Sequence, residues 1–390
     1  MNNILIFFNQ ILTPILGSGG EVRCVETIKR WKGLKIGIIG PQVAKFLKKE
    51  LKADWFYSLP ETFLDRWYQK KRSVFSIAPL YIWRGLGAIK LVRNCQSRVV
   101  YTTGDFICNT LPAFWIKRKN SRTKWVANIF HINLPPIKRK KNKFLIASGS
   151  FLLQRISFLF LKKADLIFLL NYEVKKSLIK IGFNSKKLVV LGGGVDIVKI
   201  KRIKQEKARC NDVIFLGRLN LTKGIFDLPK IWPLVLEKVP SARLILIGAG
   251  EEKMIRNLKD EFTKRGVLNT IRFNGFINKS EDVYRIMKQS KLFIFPSHEE
   301  GFGIAPLEAQ ACGLPVVAWN LPVFDEIFPK GMIKVEIGKI EKFAYEVIKL
   351  LMDRKLYRKL LGEAINNANG YNWDITAERE LKLIKNVVNK

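Results

Sequence analysis

From residue 212 onward the chain repeats one pattern. Short apolar runs at residues 213–216, 244–247, 271–273, 292–295 and 316–318 alternate with segments of helical spacing at 230–239, 251–265 and 281–289. An apolar run without alternation is buried on both faces, and strands joined by crossover helices pair in parallel. The pattern therefore predicts an open parallel sheet covered by helices, with ligand loops at the carboxyl ends of its strands.

The first half carries the same pattern less evenly. A run at residues 3–9 is followed by the glycine-bearing stretch 16–21, a helix to about Trp31 and a strand at 35–40. Strand, glycine loop and helix open a nucleotide-binding-type unit. Taken alone the glycines fit a plain tight turn equally well. Further strands are expected at 98–102, 124–130, 165–170 and 188–191, and a helix from Tyr172 to Ile181 ends at Gly182. The aromatics of residues 43–93, Trp55, Phe63, Trp67, Phe75 and Trp83 among them, read as core and helix-packing residues, with acceptor binding as the second reading. The fold class expected is α/β, two Rossmann-like parallel-sheet domains facing across a cleft. Residues 1–195 form the N-terminal domain, 196–370 the C-terminal domain, and 371–390 a final helix. The basic run 199–209 reads as the connection between domains.

The chemistry concentrates in residues 295–318. Gly301 and Gly303 allow a tight turn that brings backbone amides near a ligand, and Pro306, Gly313 and Pro315 frame a short helix. Amides at a helix N-terminus attract an anion. Glu300 and Glu308 flank that turn, and carboxylates accept hydrogen bonds from sugar hydroxyls. Amides for phosphate together with acids for hydroxyls suit a nucleotide-sugar. Gly217, Arg218 and Leu219 follow the strand at 213–216, with Lys223 and Gly224 close behind. Arg218 and Lys223 thus sit on another loop of the same sheet edge, where either a diphosphate or solvent can take their charge.

Composition narrows the options. The chain has 69 Lys and Arg against 33 Asp and Glu, a formal charge of +36, which calls for an anionic partner unless it reflects a lysine-rich genome or a hot habitat. Ten of these cations, with no acid, lie between Lys117 and Lys143, and an apolar stretch to Leu161 closes on Lys162 and Lys163. Lys117–Lys163 is therefore expected to rest on an anionic membrane surface, although a packed domain helix also accounts for its apolar part. No uncharged apolar run reaches 18 residues, so no membrane-spanning helix is expected. Residues 1–16 read as a first strand rather than a signal peptide. Five scattered cysteines suit a reducing cytosol, and two histidines, His131 and His298, rule out a histidine-built zinc site. His131 ends the strand at 124–130, where it serves either a ligand or local hydrogen bonds alone.

Taken together, Phe215-Leu216-Gly217-Arg218 with Lys223-Gly224, Gly248 to Glu251, Phe273 to Phe276, and Glu300 to Glu308 within residues 296–318 resemble the retaining GT-B glycosyltransferases of family 4, or group 1. The likeness extends more weakly to residues 17–21, Ala164-Asp165 and Gly194-Val195-Asp196, and Tyr371 to Asp374 with the final helix resembles the family's C-terminal helix, which packs back on the first domain. It implies that Arg218 and Lys223 neutralise the donor diphosphate as the sugar leaves, that Glu300 holds hydroxyls of the transferred sugar, and that Glu308 accepts from the ribose. Amides of Phe302, Gly303 and Ile304 would touch sugar and phosphate. Gly19, Gly20 and Gly217 would lie by the diphosphate, Gly275 and Phe276 by the base, and His131 by the donor sugar. The resemblance further implies a metal-independent enzyme without cofactor, and the basic apolar stretch Lys117–Lys163 points its expected glycan or glycolipid acceptor to the inner membrane face. A sugar-nucleotide epimerase and a phosphorylase of the same fold are weaker readings, the latter needing a pyridoxal-bearing lysine and a longer chain. A basic nucleic-acid-binding protein rests on charge alone, and no specific nucleic acid is expected.

Overall fold

The computed structural model describes residues 3–14, 16, 18–71, 73–93, 95–133, 144–205 and 212–389. They form two compact units, Met1–Gly192 with Trp373–Lys390, and Gly193–Asn372. The division therefore falls at 192/193 and 372/373, a few residues from the boundaries read in the sequence.

The first unit runs β1 (Asn3–Phe7), α1 (Gly19–Ile28), β2 (Lys35–Pro41), α2 (Phe46–Glu50), β3 (Trp55–Leu59), α3 (Phe63–Lys71), α4 (Val74–Leu91), β4 (Val99–Thr102), α5 (Ile107–Lys119), β5 (Lys124–Ile129), α6 (Phe144–Leu161), β6 (Leu166–Leu169), α7 (Tyr172–Lys180) and β7 (Leu188–Val190). Its strands lie in the order β3-β2-β1-β4-β5-β6-β7, all parallel. Strand alternation divides the core in two. Ile4 and Ile6 of β1 pack with Cys24 and Ile28 of α1, while Leu5 and Phe7 pack with Ala88 of α4, Ala113 of α5 and Phe158 of α6. α1 starts where Ser18 accepts from the Glu21 amide and Glu21 accepts from the Ser18 amide, a reciprocal cap.

The second unit runs α8 (Ile197–Arg202), β8 (Asp212–Leu216), α9 (Leu228–Lys238), β9 (Arg243–Ile247), α10 (Glu252–Lys264), β10 (Ile271–Gly275), α11 (Ser280–Gln289), β11 (Leu292–Phe295), α12 (Ile304–Ala311), β12 (Val316–Trp319), α13 (Pro322–Ile327), β13 (Met332–Val335), α14 (Ile340–Met352) and α15 (Arg354–Asn369). Its sheet order is β10-β9-β8-β11-β12-β13, again parallel. β8 pairs with β9 on one side and β11 on the other, so the winding reverses between β8 and β11. Loops leaving the strands at such a point diverge and leave room for a ligand.

The chain then returns to the first unit as α16 (Trp373–Val388), whose Ala377 and Ile384 enter the Ile4–Ile6 core. A buried polar cluster fastens it. Arg23 of α1 donates to Glu380 Oε2 at 2.9 Å, to Asn128 Oδ1 at 3.0 Å and to the Gly192 carbonyl at 3.0 Å, while the Tyr101 hydroxyl donates to Glu380 Oε1. Burial opposes the charge on Arg23, but Glu380 and Tyr101 more than offset it and its pKa stands above the ordinary value.

Two sequence expectations are corrected here. Of the aromatics read as core, Tyr81 is buried and Phe56 and Tyr68 pack against buried clusters, whereas Trp55 on the edge strand β3, Phe63, Trp67, Phe75 and Trp83 are exposed. The run at 199–209 is not simply a connection. Its first part is α8, with Ile197 and Ile200 buried and Lys199 bonded to Ser280 and Glu281 of α11; residues 206–209 lie outside the described residues.

Candidate active site

Two loops define the site of the second unit, one after β8 and one after β11. They touch through their backbones. The His298 amide donates to the Thr222 carbonyl at 2.9 Å, and a Cβ on Gly224 would lie 1.7 Å from the Pro296 carbonyl oxygen. Gly224 also has φ of +66°, so no other residue fits comfortably there. Asn220 caps the preceding turn by accepting from the Lys223 amide. Lys223 is thereby fixed where the loops meet.

Its side chain donates from Nζ to Glu300 Oε1, and the Ser297 hydroxyl donates to the same oxygen at 2.9 Å. The two charged side chains are 17% and 10% exposed, shielded enough for their charges to interact strongly and open enough to meet a ligand. Lys223 Nζ also stands 5.5 Å from the Phe295 ring centroid. Arg218, on the same loop, is exposed. Gly217 lies beneath it; its carbonyl oxygen would be 1.9 Å from a Cβ on Gly248, so the turns after β8 and β9 also need a glycine at their crossing.

α12 is preceded by Gly303, with φ of +97° and no side chain capping the helix. The first-turn amides therefore remain the natural partners of an anion. Phe302 itself is buried, edge-on to Tyr371 at 5.8 Å, so its side chain belongs to packing and only its backbone can face a ligand. Glu308, one turn into α12, accepts from the Tyr284 hydroxyl of α11 at 2.7 Å. Gly275 has φ of +64° at the end of β10, and Phe276 beyond it is 54% exposed. Asp227 Oδ2 accepts from Trp319 Nε1 at 3.0 Å and lies 2.8 Å from His298 Nε2. Burial works against the Asp227 charge, yet the hydrogen bonds of His298 and Trp319 outweigh it and hold the carboxyl below its ordinary range.

The remaining candidates belong to the first unit. Gly19 and Gly20 open α1, and a Cβ on Gly20 would lie 2.3 Å from the Phe130 ring, so close packing of helix on strand end requires glycine there regardless of any ligand. Gly17 lies outside the described residues. His131 follows β5, is exposed, and places Nε2 3.0 Å from Asn133 Oδ1. Gln154 of α6 ties this segment down, donating to the His131 carbonyl at 3.0 Å and to Asp105 Oδ2 at 2.7 Å. Burial raises the Asp105 pKa, with His131 and Gln154 opposing. Among the described residues no three His, Cys, Asp or Glu side chains converge as a metal site. Sequence reasoning passed over Ser297, Tyr284, Asp227 and Gln154. Ser297 sat in the motif three residues before Glu300, whereas nothing in the sequence pointed to the others.

Comparison with known proteins follows the same division. Over 99% of its length the chain superposes on all of a solved Anabaena protein, HepE, described in complex with UDP and glucose, with a TM-score of 0.74 and 17% identity. That likeness makes the two parallel-sheet units a GT-B fold. Residues 196–367 match the family of glycosyl transferases group 1. An uncharacterized glycosyltransferase of Methanocaldococcus jannaschii is 26% identical over 310 residues, 75% of this chain and 76% of that one. A phosphatidyl-myo-inositol mannosyltransferase of Mycobacterium leprae is 27% identical over 179 residues, 45% of this chain and 46% of that one. The chain is a glycosyltransferase, and the group 1 match falls within its second unit.

Proposed function

We propose that this enzyme moves a sugar from a nucleoside diphosphate sugar to a glycan or glycolipid acceptor at a membrane face. The observation that carries the donor assignment is the ion pair of Lys223 and Glu300 at the point where the winding of the second sheet reverses. Without donor the two charges compensate each other. The diphosphate takes over Lys223, with Arg218 beside it, and Glu300 is left to accept from sugar hydroxyls while Ser297 holds it in place. As the bond from the anomeric carbon to the diphosphate breaks, its electron pair passes to the phosphate oxygen, where Lys223, Arg218 and the first amides of α12 stabilise the charge. The acceptor oxygen bonds to the anomeric carbon, and its proton passes to the departing diphosphate. Glu308, held by Tyr284, takes the ribose hydroxyls, and the base lies by Gly275 and Phe276. For Gly19, Gly20 and His131, at the carboxyl edge of the first sheet, we keep the roles that the family resemblance implies. On this reading the two cations suffice, and a chelator leaves the rate unchanged.

Relatives and neighbours support the substrate classes. One solved neighbour is described with UDP-glucose, and the Mycobacterium leprae relative is named for a phosphatidylinositol acceptor. Lys117–Lys163 supports the membrane face. Among its described cations Arg118, Lys119, Lys162 and Lys163 are exposed, whereas Lys117 pairs with Asp165; residues 134–143 lie outside the described residues. No helix of the described residues is long and apolar enough to cross a membrane.

Thermal shifts against a panel of nucleotides and nucleotide-sugars identify the donor, since a ligand bound only by the folded state raises its melting temperature. With that donor, Glu300→Gln lowers transfer by about 10²–10³-fold with the melting curve preserved. Full transfer by Glu300→Ala would sink the assignment.

A further inference from the structure

We propose that the outer face of α3 and α4 is the surface that seats this enzyme on an anionic lipid bilayer. The proposal deepens the reading above by naming the docking face, and rests on that reading only for the purpose of docking.

α3 and α4 are held firmly from within. Arg84 of α4 is buried and donates to the carbonyls of Asn9 and Ile11 at 2.8 Å each and to Asp65 of α3 at 2.7 Å, with Leu80 and Tyr81 buried beside it. That anchoring fixes which residues face outward. On α3 they are Phe63 and Trp67, one turn apart; on α4 they are Phe75, Ile82, Trp83 and Leu86, at helical spacing along one side and followed by Lys90. Phe63 is 70% exposed, Phe75 62% and Trp83 51%, well beyond what partial packing leaves open. Scattered single apolar residues need no explanation, but six large exposed apolar side chains on two neighbouring, inwardly anchored helices do.

Charge selects the occupant. Residues 63–163 carry 21 Lys and Arg and only two acids, Asp65 and Asp105. Both acids are buried, so the described surface of this stretch presents no carboxylate. A genome-wide lysine bias would leave acids scattered here as in the rest of the chain, which holds the other 31. Exposed Arg66, Lys70, Lys71, Lys90 and Arg93 lie in or just beyond the two helices that bear the aromatics. Aromatic rings among basic residues fit the headgroup layer, where ring bodies enter the acyl boundary and the cations meet lipid phosphates. A second copy of the chain would bring like charge against like charge. Phe63 also follows β3 by only a few residues, which places this face beside the carboxyl edge of the first sheet, the side from which a lipid-linked acceptor would enter.

Flotation of the full chain with phosphatidylcholine vesicles, with and without phosphatidylglycerol, tests this. The protein floats with the anionic vesicles, part of it stays bound in high salt, and brominated lipid quenches its tryptophan fluorescence. The exposed-site variant F63S/F75S/W83S partitions at least about tenfold more weakly. Its melting curve and its thermal shift with donor stay as in the parent, so a failed donor assignment and a failed docking face are told apart. Binding that is wholly salt-reversible and unchanged in the variant would overturn the proposal, leaving charge alone. A variant that loses affinity for RNA or DNA, or loses self-association in sedimentation, while vesicle binding never occurs, would overturn it in favour of nucleic acid or a second copy.

Discussion

Lys223 and Glu300 lie 77 residues apart and meet at one carboxylate oxygen. Each was legible as a charged residue on a loop at the sheet's carboxyl edge, because loop position follows from strand pattern. Their direct pairing was not, since it depends on the backbone of two loops crossing. The same limit hid Asp227, whose partners His298 and Trp319 come from distant parts of the chain. Asp227 gives a pH prediction with a definite sign. A carboxyl held below its ordinary pKa stabilises the fold at neutral pH, and that contribution disappears as pH falls through the lowered value. The window therefore lies below about pH 4, the ordinary range for aspartate. Melting temperature measured against pH should fall less steeply there for Asp227→Asn than for the parent, and parallel curves would count against the assignment.

Element boundaries followed local chemistry where glycine and proline wrote them. Gly313, with φ of +76°, follows the end of α12 and Pro306 lies in its first turn, both as expected. Residues 43–93, which hold β3 and α4, did not divide into elements from sequence for an identifiable reason. The outward face of α4 is as apolar as its inward face, so periodicity carried no information about direction. β3 is an edge strand with Trp55 and Tyr57 exposed, and aromatic content alone could not separate strand from core helix. The turn that ends at Gly224 is the junction most sensitive to change. Gly224→Ala forces a left-handed backbone worth roughly 1–2 kcal/mol of strain and a collision with the Pro296 carbonyl. It should displace Lys223 and lower both donor affinity and melting temperature. An unaltered donor titration would show that this contact does not position Lys223.

The parallel pairing of the two sheets was implicit in the alternation of strand and helix, yet nothing local announced how the final helix is fastened. Arg23 and Glu380 are separated by 357 residues, and each alone reads as an ordinary surface charge. Only the assembled first unit buries both, at 1% and 0% exposure of their side chains. A buried ion pair is weak evidence for net stability, because desolvation cancels much of its attraction, but removing one partner strands the other. Glu380→Ala should therefore cost roughly 3–5 kcal/mol in urea unfolding, and the Tyr101 hydroxyl would lose its acceptor as well. Replacing the cluster together, as R23M/Y101F/E380M, removes the stranded charge and leaves only the Asn128 and Gly192 oxygens without their Arg23 donor, so it should recover much of that loss. Recovery would mean that the cluster determines where α16 docks more than how tightly. A single variant costing less than about 1 kcal/mol, the scale of an exposed pair, would show that water reaches the site and that apolar packing around Ala377 and Ile384 holds the helix instead.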